Sequence, residues 1–360
     1  MINAFGIDKT TLVNIQINEI DLEHLYYLQT VGRNISINEA KDGKGFDIPL
    51  TNGSIGSFSY IKIIDNFLFL DLTIGCINNK KCRVYYTKIN LTSSIANNVS
   101  NLFPLLVGDY NAKLHNLEDY FKQLYHIDLS FENSRFEEIE INRTFESNFL
   151  FEEYAPIFDT LADYMPQSRY KYKALYGECV GQPNTPTTYE FQTKKRKRTN
   201  KSAKRLKIYD KSKEQRIKKI EIADKQYIRF EYVLREEQIE NNLSTNEVAK
   251  LTDEAMLNFF IDSINKDVFN TLDIADNKIT IQLTKLYKEI KSEFKRGFLR
   301  EFFHRASHIA YCNEQIEQIA LADMKLNNNY KRNKTLLNSI VPPTNTTKKI
   351  AELKTKLLDQ

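Results

Sequence analysis

Residues 205–214 read RLKIYDKSKE, and the first half of this stretch alternates strictly between polar and apolar side chains. Alternation of this kind predicts a β-strand, because successive side chains of a strand point to opposite faces of a sheet. Leu206 and Ile208 would face the core. The other face would carry Arg205, Lys207 and Tyr209. A phenol with two cations on its own side is suited to meet a phosphate group.

The same stretch lies in a strongly basic part of the chain. Residues 194–219 contain fourteen Lys and Arg but two acids, a net +12, and since the whole chain carries +4 the remainder sums to −8. A basic stripe on an otherwise acidic protein is typical of polyphosphate binding, because each neutralised phosphate releases counterions. A solvated basic loop around KKRKR is the alternative. The candidate DNA contacts are Lys194, Lys195, Arg196, Lys197, Arg198, Lys204, Arg205 and Lys207, with Arg229 from a later segment.

Composition excludes several classes of protein. Apolar residues make up 41% and charged residues 27% of 360 residues, as in ordinary globular proteins. No apolar run reaches the roughly 18 residues that a membrane helix needs, and the N-terminus lacks the apolar core of a secretory signal, so we expect a cytoplasmic protein without membrane contact. The four cysteines, Cys76, Cys82, Cys179 and Cys312, form no C-x2-C pair, which argues against a zinc cluster or a disulfide framework.

The distribution of patterns predicts an α+β fold. Aromatic and β-branched residues predict strands at 57–74 (a hairpin turning at Asp65-Asn66), 83–91, 170–176, 187–193, 205–210 and 227–234. Helical spacing predicts helices within 93–125 and 151–165, and a long one at 283–311. A capping box at residues 244–247, STNE, marks a change to helix. We therefore predict three parts: an N-terminal α+β half at 1–130, a second half at 131–242 and a helical region at 243–360.

Acidic residues on two of these strands form a candidate metal site. The segment FEEIEINRTFE at 136–146 places Glu138, Glu140 and Asn142 on one face by alternation. If this strand and the one containing Glu231 are neighbours in an antiparallel sheet, Glu140 and Glu231 can share a divalent cation. Hard carboxylate oxygens suit Mg²⁺ or Mn²⁺. A solvent-facing acidic strand paired with the basic run is the alternative.

The order of three motifs carries a family resemblance. IEINRTFE, then RLKIYDKSKE, then IRFEYVLR resembles the II/X family of phage and plasmid replication proteins, which includes the filamentous-phage replication endonuclease. It is more distantly similar to the rolling-circle initiators of small Gram-positive plasmids. The motifs span residues 135–238. Where relatives read Arg-x-Asp, this chain reads Glu138-Ile139-Glu140.

The resemblance implies a metal-dependent nuclease with an antiparallel sheet core of two related halves flanked by helices. It implies that Tyr209 is the nucleophile that nicks one origin strand, keeps the 5′ phosphate and frees a 3′ hydroxyl primer. It also implies Glu140 and Glu231 as metal ligands, Glu214 as a third candidate ligand and Lys211 as a phosphate contact. Tyr189 is the alternative nucleophile. A free phenol attacks poorly because its pKa is about 10, so cations or a base must activate it.

The sequence therefore predicts a rolling-circle replication initiator that acts on a supercoiled or hairpin-extruded origin. Host replication proteins and a second copy of the chain are candidate partners. Two alternatives stay open: a relaxase or transposase with the same chemistry, and a DNA-binding protein without catalytic activity that uses only the basic stripe. The helical C-terminal region is expected to help in origin binding or dimerisation.

Overall fold

In the computed structural model, one large antiparallel sheet organises the chain. The structure describes residues 3–40, 46–65, 70–79, 82–92, 102–177, 186–194, 202–217, 225–235, 237–294, 296–322 and 329–358. The strands are β1 (Asn3–Val13), β2 (Gln16–Ile20), β3 (Ile35–Glu39), β4 (Phe46–Pro49), β5 (Ile55–Asp65), β6 (Leu70–Asn79), β7 (Cys82–Thr92), β8 (Ile127–Ser130), β9 (Arg135–Ser147), β10 (Tyr172–Tyr176), β11 (Thr188–Gln192), β12 (Lys204–Asp210) and β13 (Gln226–Arg235).

The helices precede, interrupt and follow these strands. They are α1 (Leu22–Thr30), α2 (Val107–Tyr120), α3 (Ala155–Tyr164), α4 (Lys211–Ile217), α5 (Glu237–Leu243), α6 (Asp253–Ile264), α7 (Asn270–Glu293), α8 (Phe298–Ala306), α9 (Asn313–Ala320), α10 (Asn329–Ile340) and α11 (Thr346–Leu358). Short π-helical turns extend α2 and join α6 to α7, at Phe121–Tyr125 and Asn265–Phe269. The predicted α+β class is confirmed. No helix among the described residues is both long enough and apolar enough to cross a membrane.

The sheet has two halves with the same strand order. Strands β1 and β9 lie side by side at its centre; β7, β6, β5 and β3 follow outward from β1, and β13, β12, β11 and β10 follow outward from β9. In each half the first strand therefore pairs with the last strand of that half. A helix follows the first strand of each half, α1 or α3. The predicted sheet of two related halves flanked by helices is what the structure shows.

One face of the second half is covered by helices. Leu206, Ile208 and Phe230 point to this face and have no exposed surface. Phe158 of α3 packs edge-on against Phe230, with ring centres 6.1 Å apart. Phe260 of α6 packs in the same way against Tyr232, at 5.8 Å. Because strand side chains alternate, the charged residues between these apolar ones must lie on the opposite face.

The C-terminal helices contribute to two hydrophobic clusters. Residues of α6, of the start of α7 and of α11 join the core that underlies the sheet. The far end of α7 packs with α8, α9 and α10 around a separate cluster that includes Phe302, Phe303 and Leu337. The division of the chain at residue 242 stays a prediction.

Two predictions about these helices were wrong. Ser244 does not cap a helix: its φ of 60° is left-handed, and the side chain that caps α6 is Thr252, which accepts a hydrogen bond from the Ala255 amide at 3.2 Å. An N-cap requires extended backbone, which Ser244 lacks. The predicted helix at 283–311 is also broken, because α7 ends at Glu293 and α8 begins only after Gly297, whose φ is +73°.

Candidate active site

Three carboxylates from three adjacent strands meet on the face of the sheet opposite the helix-covered one. Asp8 comes from β1, Glu140 from β9 and Glu231 from β13, and each offers an oxygen that lies within 4.8 Å of the others. All three side chains are buried. In the part of the chain that the structure describes, no other group of three His, Cys, Asp or Glu side chains meets this condition.

The register of the strands explains why these side chains converge. In the antiparallel pair of β13 with β9, Glu231 lies opposite Asn142, and Val233 lies opposite Glu140. Glu140 and Glu231 are therefore diagonal neighbours on one face, at the separation across which long side chains meet. The structure thus places together the two acids that strand alternation had put on a common face.

Asp8 reaches the same face through a β-bulge. The pairing of β1 with β9 shifts between Ile7 and Lys9, so that Asp8 is the extra residue of β1. A bulge of this kind turns a side chain away from the direction that simple alternation gives it. Next to the bulge, Gly6 lies so close to Leu105 that an added Cβ would stand 2.3 Å from the Leu105 carbonyl oxygen. The backbone at Leu105, in another segment of the same chain, therefore packs closely against this end of β1.

The three carboxylates fit a divalent cation. Burial and the nearby charge of Glu231 raise the pKa of Glu140 to about 8, so crowding of negative charge leaves this group protonated at neutral pH without a cation. A cation between the oxygens would relieve this crowding, and an all-oxygen donor set is the type that hard divalent ions prefer. The site can therefore hold a metal ion.

Two basic side chains balance part of the negative charge. Arg229, which has no exposed surface, donates to Asp8 Oδ2 and to Thr144 Oγ1, both at 2.6 Å. Lys207 donates to Glu231 Oε1 at 2.8 Å. Each buried carboxylate of these two pairs therefore has a cation within hydrogen-bonding distance.

Arg205 is a third basic residue near the carboxylates. Its guanidinium lies 3.7 Å from Glu140 and 3.5 Å from Glu190, distances longer than those of the other two pairs. Its Nε is buried and has no hydrogen-bond partner among the residues that the structure describes. Arg205 and Lys207, predicted from β12 to share a face with Tyr209, thus do so.

Tyr209 stands beside the carboxylates. Its hydroxyl donates to Glu231 Oε2 at 3.1 Å, and it lies opposite Arg229 in the pairing of β12 with β13. Burial and the charge of Glu231 raise its pKa well above 10, whereas Arg229 acts in the opposite direction. The phenol therefore stays protonated until additional positive charge reaches it.

Helix α4 brings Lys211 against the tyrosine ring. The Lys211 ammonium lies 5.6 Å from the ring centre of Tyr209, and it donates to Glu214 Oε2 at 2.6 Å. Burial lowers the pKa of Lys211 to about 8. Glu214, predicted as a third metal ligand, pairs here with Lys211 and is not among the three convergent carboxylates.

A surface cavity of about 420 Å³ opens beside Tyr209. Lys207, Glu190 and Glu214 line it, together with Lys213 from α4. A cavity of this size suits a nucleotide or another small polar group. Tyr209 and the two lysines therefore line one surface cavity.

Other predicted residues lie elsewhere. Lys204 points to the helix-covered face, where its ammonium contacts Ser263 Oγ at 3.0 Å and Asp267 at 3.4 Å and lies over the ring of Tyr232. Its position gives no support to its predicted contact with DNA. Lys194 is exposed at the end of β11. Lys195, Arg196, Lys197 and Arg198 lie outside the described residues.

The alternative nucleophile and the neighbouring acid of β9 have structural partners. Tyr189 is fully buried on the helix-covered face, where its hydroxyl donates to Asp159 at 2.8 Å. Glu138 lies two residues before Glu140 on β9, and its carboxylate accepts a hydrogen bond from Arg235 Nε at 2.5 Å. Neither residue reaches the cavity beside Tyr209.

Comparison with solved structures finds a structural likeness. The chain is similar to a solved structure described as a rolling circle replication initiator protein from Geobacillus stearothermophilus. The two share 11% identity with a TM-score of 0.33, over 66% of this chain and 77% of that one. No protein-family model matches the chain, and no curated protein matches it. At this level of similarity, a function must be supported by the residues of the chain itself.

The pKa of Glu140 makes the stability of the metal-free protein depend on pH. Since burial raises this pKa from 4.5 to about 8, the folded protein keeps a proton on Glu140 that the unfolded chain has lost. The free energy of unfolding should therefore fall as pH rises from about 4.5 to 8. We expect the fall to be on the order of a few kcal/mol, measured by urea unfolding in the presence of a chelator.

Glu140→Gln is the matched variant for this measurement. Glutamine keeps the volume and a hydrogen-bonding group but cannot ionise. The free energy of unfolding of the variant should therefore fall less steeply between pH 4.5 and 8 than that of the parent. Excess Mn²⁺ should restore stability to the parent at pH 8 and have a smaller effect on the variant. Equal slopes in the two proteins would show that Glu140 does not carry the effect.

Proposed function

We propose that this protein nicks one strand of DNA through a covalent link to Tyr209 and so initiates rolling-circle replication at an origin. The observation that carries the proposal is the contact between the Tyr209 hydroxyl and Glu231, one of three convergent buried carboxylates. A phenol next to a site that can hold a divalent cation, on a residue that lines a surface cavity, is the arrangement required for metal-assisted attack on a phosphodiester.

The reaction begins with attack of Tyr209 Oη on the scissile phosphorus. A bond forms between this oxygen and phosphorus, and the bond from phosphorus to the 3′ oxygen breaks. The phenolic proton passes to Glu231 Oε2, which already accepts its hydrogen bond. The 3′ oxygen leaves with the bonding electrons and takes a proton from solvent, which gives the free 3′ hydroxyl. The 5′ phosphate stays on the tyrosine, and the reverse reaction rejoins the strand.

Basic residues around the phenol favour the phenolate and the phosphate. Arg229 lies opposite Tyr209 on β13, and its positive charge opposes the effect of burial on the pKa of the phenol, while the Lys211 ammonium lies against the ring. Lys207 lines the cavity and could contact a non-bridging oxygen of the phosphate. Asp8, Glu140 and Glu231 would hold Mg²⁺ or Mn²⁺. When bound there, the cation supplies positive charge that polarises the phosphate and lowers the pKa of the phenol.

The replication role is supported by the order of the sequence motifs rather than by the site. IEINRTFE, RLKIYDKSKE and IRFEYVLR occur in the order seen in the II/X family, and here they form three adjacent strands, β9, β12 and β13, with β13 between the other two. The basic residues at 194–201 would then attract the DNA backbone, since contacts of this kind position a duplex without reading its bases.

Incubation with supercoiled plasmid libraries, with Mg²⁺, with Mn²⁺ and with a chelator, tests this function. We expect open circles and protein attached to the 5′ end when a divalent cation is present, and neither product with the chelator. If the protein cuts a circle and then joins the cut strand to a second DNA molecule, the relaxase or transposase alternative is favoured. Binding without cutting under all three conditions would favour a DNA-binding protein without catalytic activity.

A further inference from the structure

Of the three basic residues at the metal site, Arg229 and Lys207 lie within hydrogen-bonding distance of its carboxylates, whereas Arg205 lies farther away, and the first two differ in how firmly they are held. Arg229 has no exposed surface and bonds to both Asp8 and Thr144 at 2.6 Å. The side chain of Lys207 is 22% exposed and donates to Glu231 Oε1 at 2.8 Å. A cation that enters among the carboxylates must take oxygen atoms from one of these partners. Lys207 is the partner that can leave.

The cavity beside Tyr209 offers the Lys207 ammonium a position for a second anionic partner. Lys207 lines the same cavity as Tyr209 and Lys213, while its ammonium bonds to the buried carboxylate of Glu231, so the side chain contacts both the cavity and the carboxylate site. Lysine is a point charge on a flexible four-carbon stem, whereas the planar guanidinium of Arg229 is fixed by two partners. A small rotation of the stem would exchange Glu231 for an anion in the cavity.

We infer that Lys207 holds the place of the divalent cation in the resting site and moves to a phosphate when the cation binds. The inference rests on the proposed function in one respect: a metal ion and a phosphate must meet beside Tyr209. It adds that the two ligands help each other to bind. Without a phosphate, the incoming cation must break the ion pair between Lys207 and Glu231 and leave the ammonium without an anion. With a phosphate, the ammonium gains a new partner at once.

Equilibrium binding of Mn²⁺ measures this coupling without any cleavage. Free Mn²⁺ is followed by electron paramagnetic resonance, with and without thymidine 3′,5′-bisphosphate, which offers phosphates but no bond to cut; Mn²⁺ bound by the bisphosphate alone is subtracted. In the parent protein we expect the bisphosphate to tighten Mn²⁺ binding about tenfold, within the usual range of coupling between two ligands. By linkage, Mn²⁺ must tighten bisphosphate binding by the same factor.

Lys207→Met should uncouple the two ligands. With the ammonium gone, Mn²⁺ should bind more tightly than in the parent when no bisphosphate is present, and the bisphosphate should then tighten Mn²⁺ binding much less than in the parent, by the direct attraction between cation and phosphate alone. Lys207→Gln is the second variant, because its amide still donates to Glu231 and so protects the fold if the methionine variant unfolds. It should show the same loss of coupling.

Lys213→Met is the control for a general loss of positive charge. Lys213 lines the same cavity from α4, so its removal changes the electrostatic potential there without touching the ion pair of Glu231. We expect it to retain the tenfold coupling. If Lys213→Met uncouples the ligands as strongly as the Lys207 variants, or if the Lys207 variants keep the coupling, the exchange is refuted while the metal site stands. If no variant and no parent protein binds Mn²⁺, both the exchange and the proposed function fail.

Discussion

Tyr209→Phe should abolish the covalent link between the protein and the 5′ end of nicked DNA. The substitution removes the attacking oxygen and leaves the ring, so we expect the yield of adduct to fall on the order of a thousandfold or more. Binding of DNA should persist, because the basic side chains around the cavity are unchanged. The free energy of unfolding should change by about 1 kcal/mol, the usual contribution of one hydrogen bond, here that to Glu231.

Tyr189→Phe is the matched control for this prediction. It removes a hydroxyl from the neighbouring strand, but that hydroxyl donates to Asp159 on the helix-covered face. The variant should keep the adduct and lose only stability, as measured by gel analysis of the adduct beside urea unfolding. Adduct formation by the Tyr209 variant, or its loss in a folded Tyr189 variant, would move the nucleophile away from Tyr209.

Arg229→Met should cause the largest loss of stability among changes in the site. Its guanidinium is fully buried and holds Asp8 and Thr144, so removal leaves the Asp8 carboxylate without this cation. Breaking a buried ion pair in this way costs about 3–5 kcal/mol. The loss should appear in urea unfolding with a chelator present, and saturating Mn²⁺ should recover part of it by supplying charge to Asp8.

Arg235→Met tests whether burial causes this effect. Arg235 lies on the same strand, β13, and bonds to Glu138 at 2.5 Å, but the two side chains of this pair are 14% and 11% exposed. We expect a smaller loss, about 1–2 kcal/mol, and no recovery with Mn²⁺, since Glu138 is not one of the convergent carboxylates. Equal losses in the two variants, or recovery of both by Mn²⁺, would contradict the role of Arg229 at Asp8.

Alternation along single strands was enough to predict much of the site. It predicted that Arg205, Lys207 and Tyr209 share a face and that Leu206 and Ile208 are buried, and the structure shows both. In a strand with one buried face, side chains alternate between the two faces, so the apolar residues identify which residues share the other face. The same rule places Lys204 on the helix-covered face with Leu206, where the structure has it. The prediction that Lys204 contacts DNA relied on its charge and did not use this alternation.

Asp8 could not be predicted from the same rule. Its convergence with Glu140 and Glu231 depends on the extra residue in β1, and a bulge has no reliable signal in the residues that form it. The local signs were weak: Gly6 inside the strand and one acid at position 8 of the segment AFGIDKTTLV, which also contains Lys9 and two threonines. Pairing of β1 with β9 is also a contact between residues more than a hundred positions apart, which periodicity in either segment does not reveal.

The helix boundaries failed for a different reason. The residues at 244–247 have the composition of a capping box, but composition does not determine backbone angles, and the left-handed Ser244 belongs to the connection from α5. The helical spacing of apolar residues continues across residues 294–297. The structure nevertheless ends one helix before Phe294 and begins the next after Gly297. Apolar residues on both sides of that break pack into one cluster, so their spacing mimics a continuous helix.

Mass spectrometry of the adduct tests the central claim most directly. Nicked DNA bound to protein is digested with nuclease and trypsin, and the peptide that retains a nucleotide is sequenced. We predict that the nucleotide is attached to Tyr209, within the tryptic peptide IYDK at residues 208–211. Attachment to Tyr189 or to any other residue, or cutting without an attached nucleotide, would contradict the assignment of Tyr209 as the nucleophile.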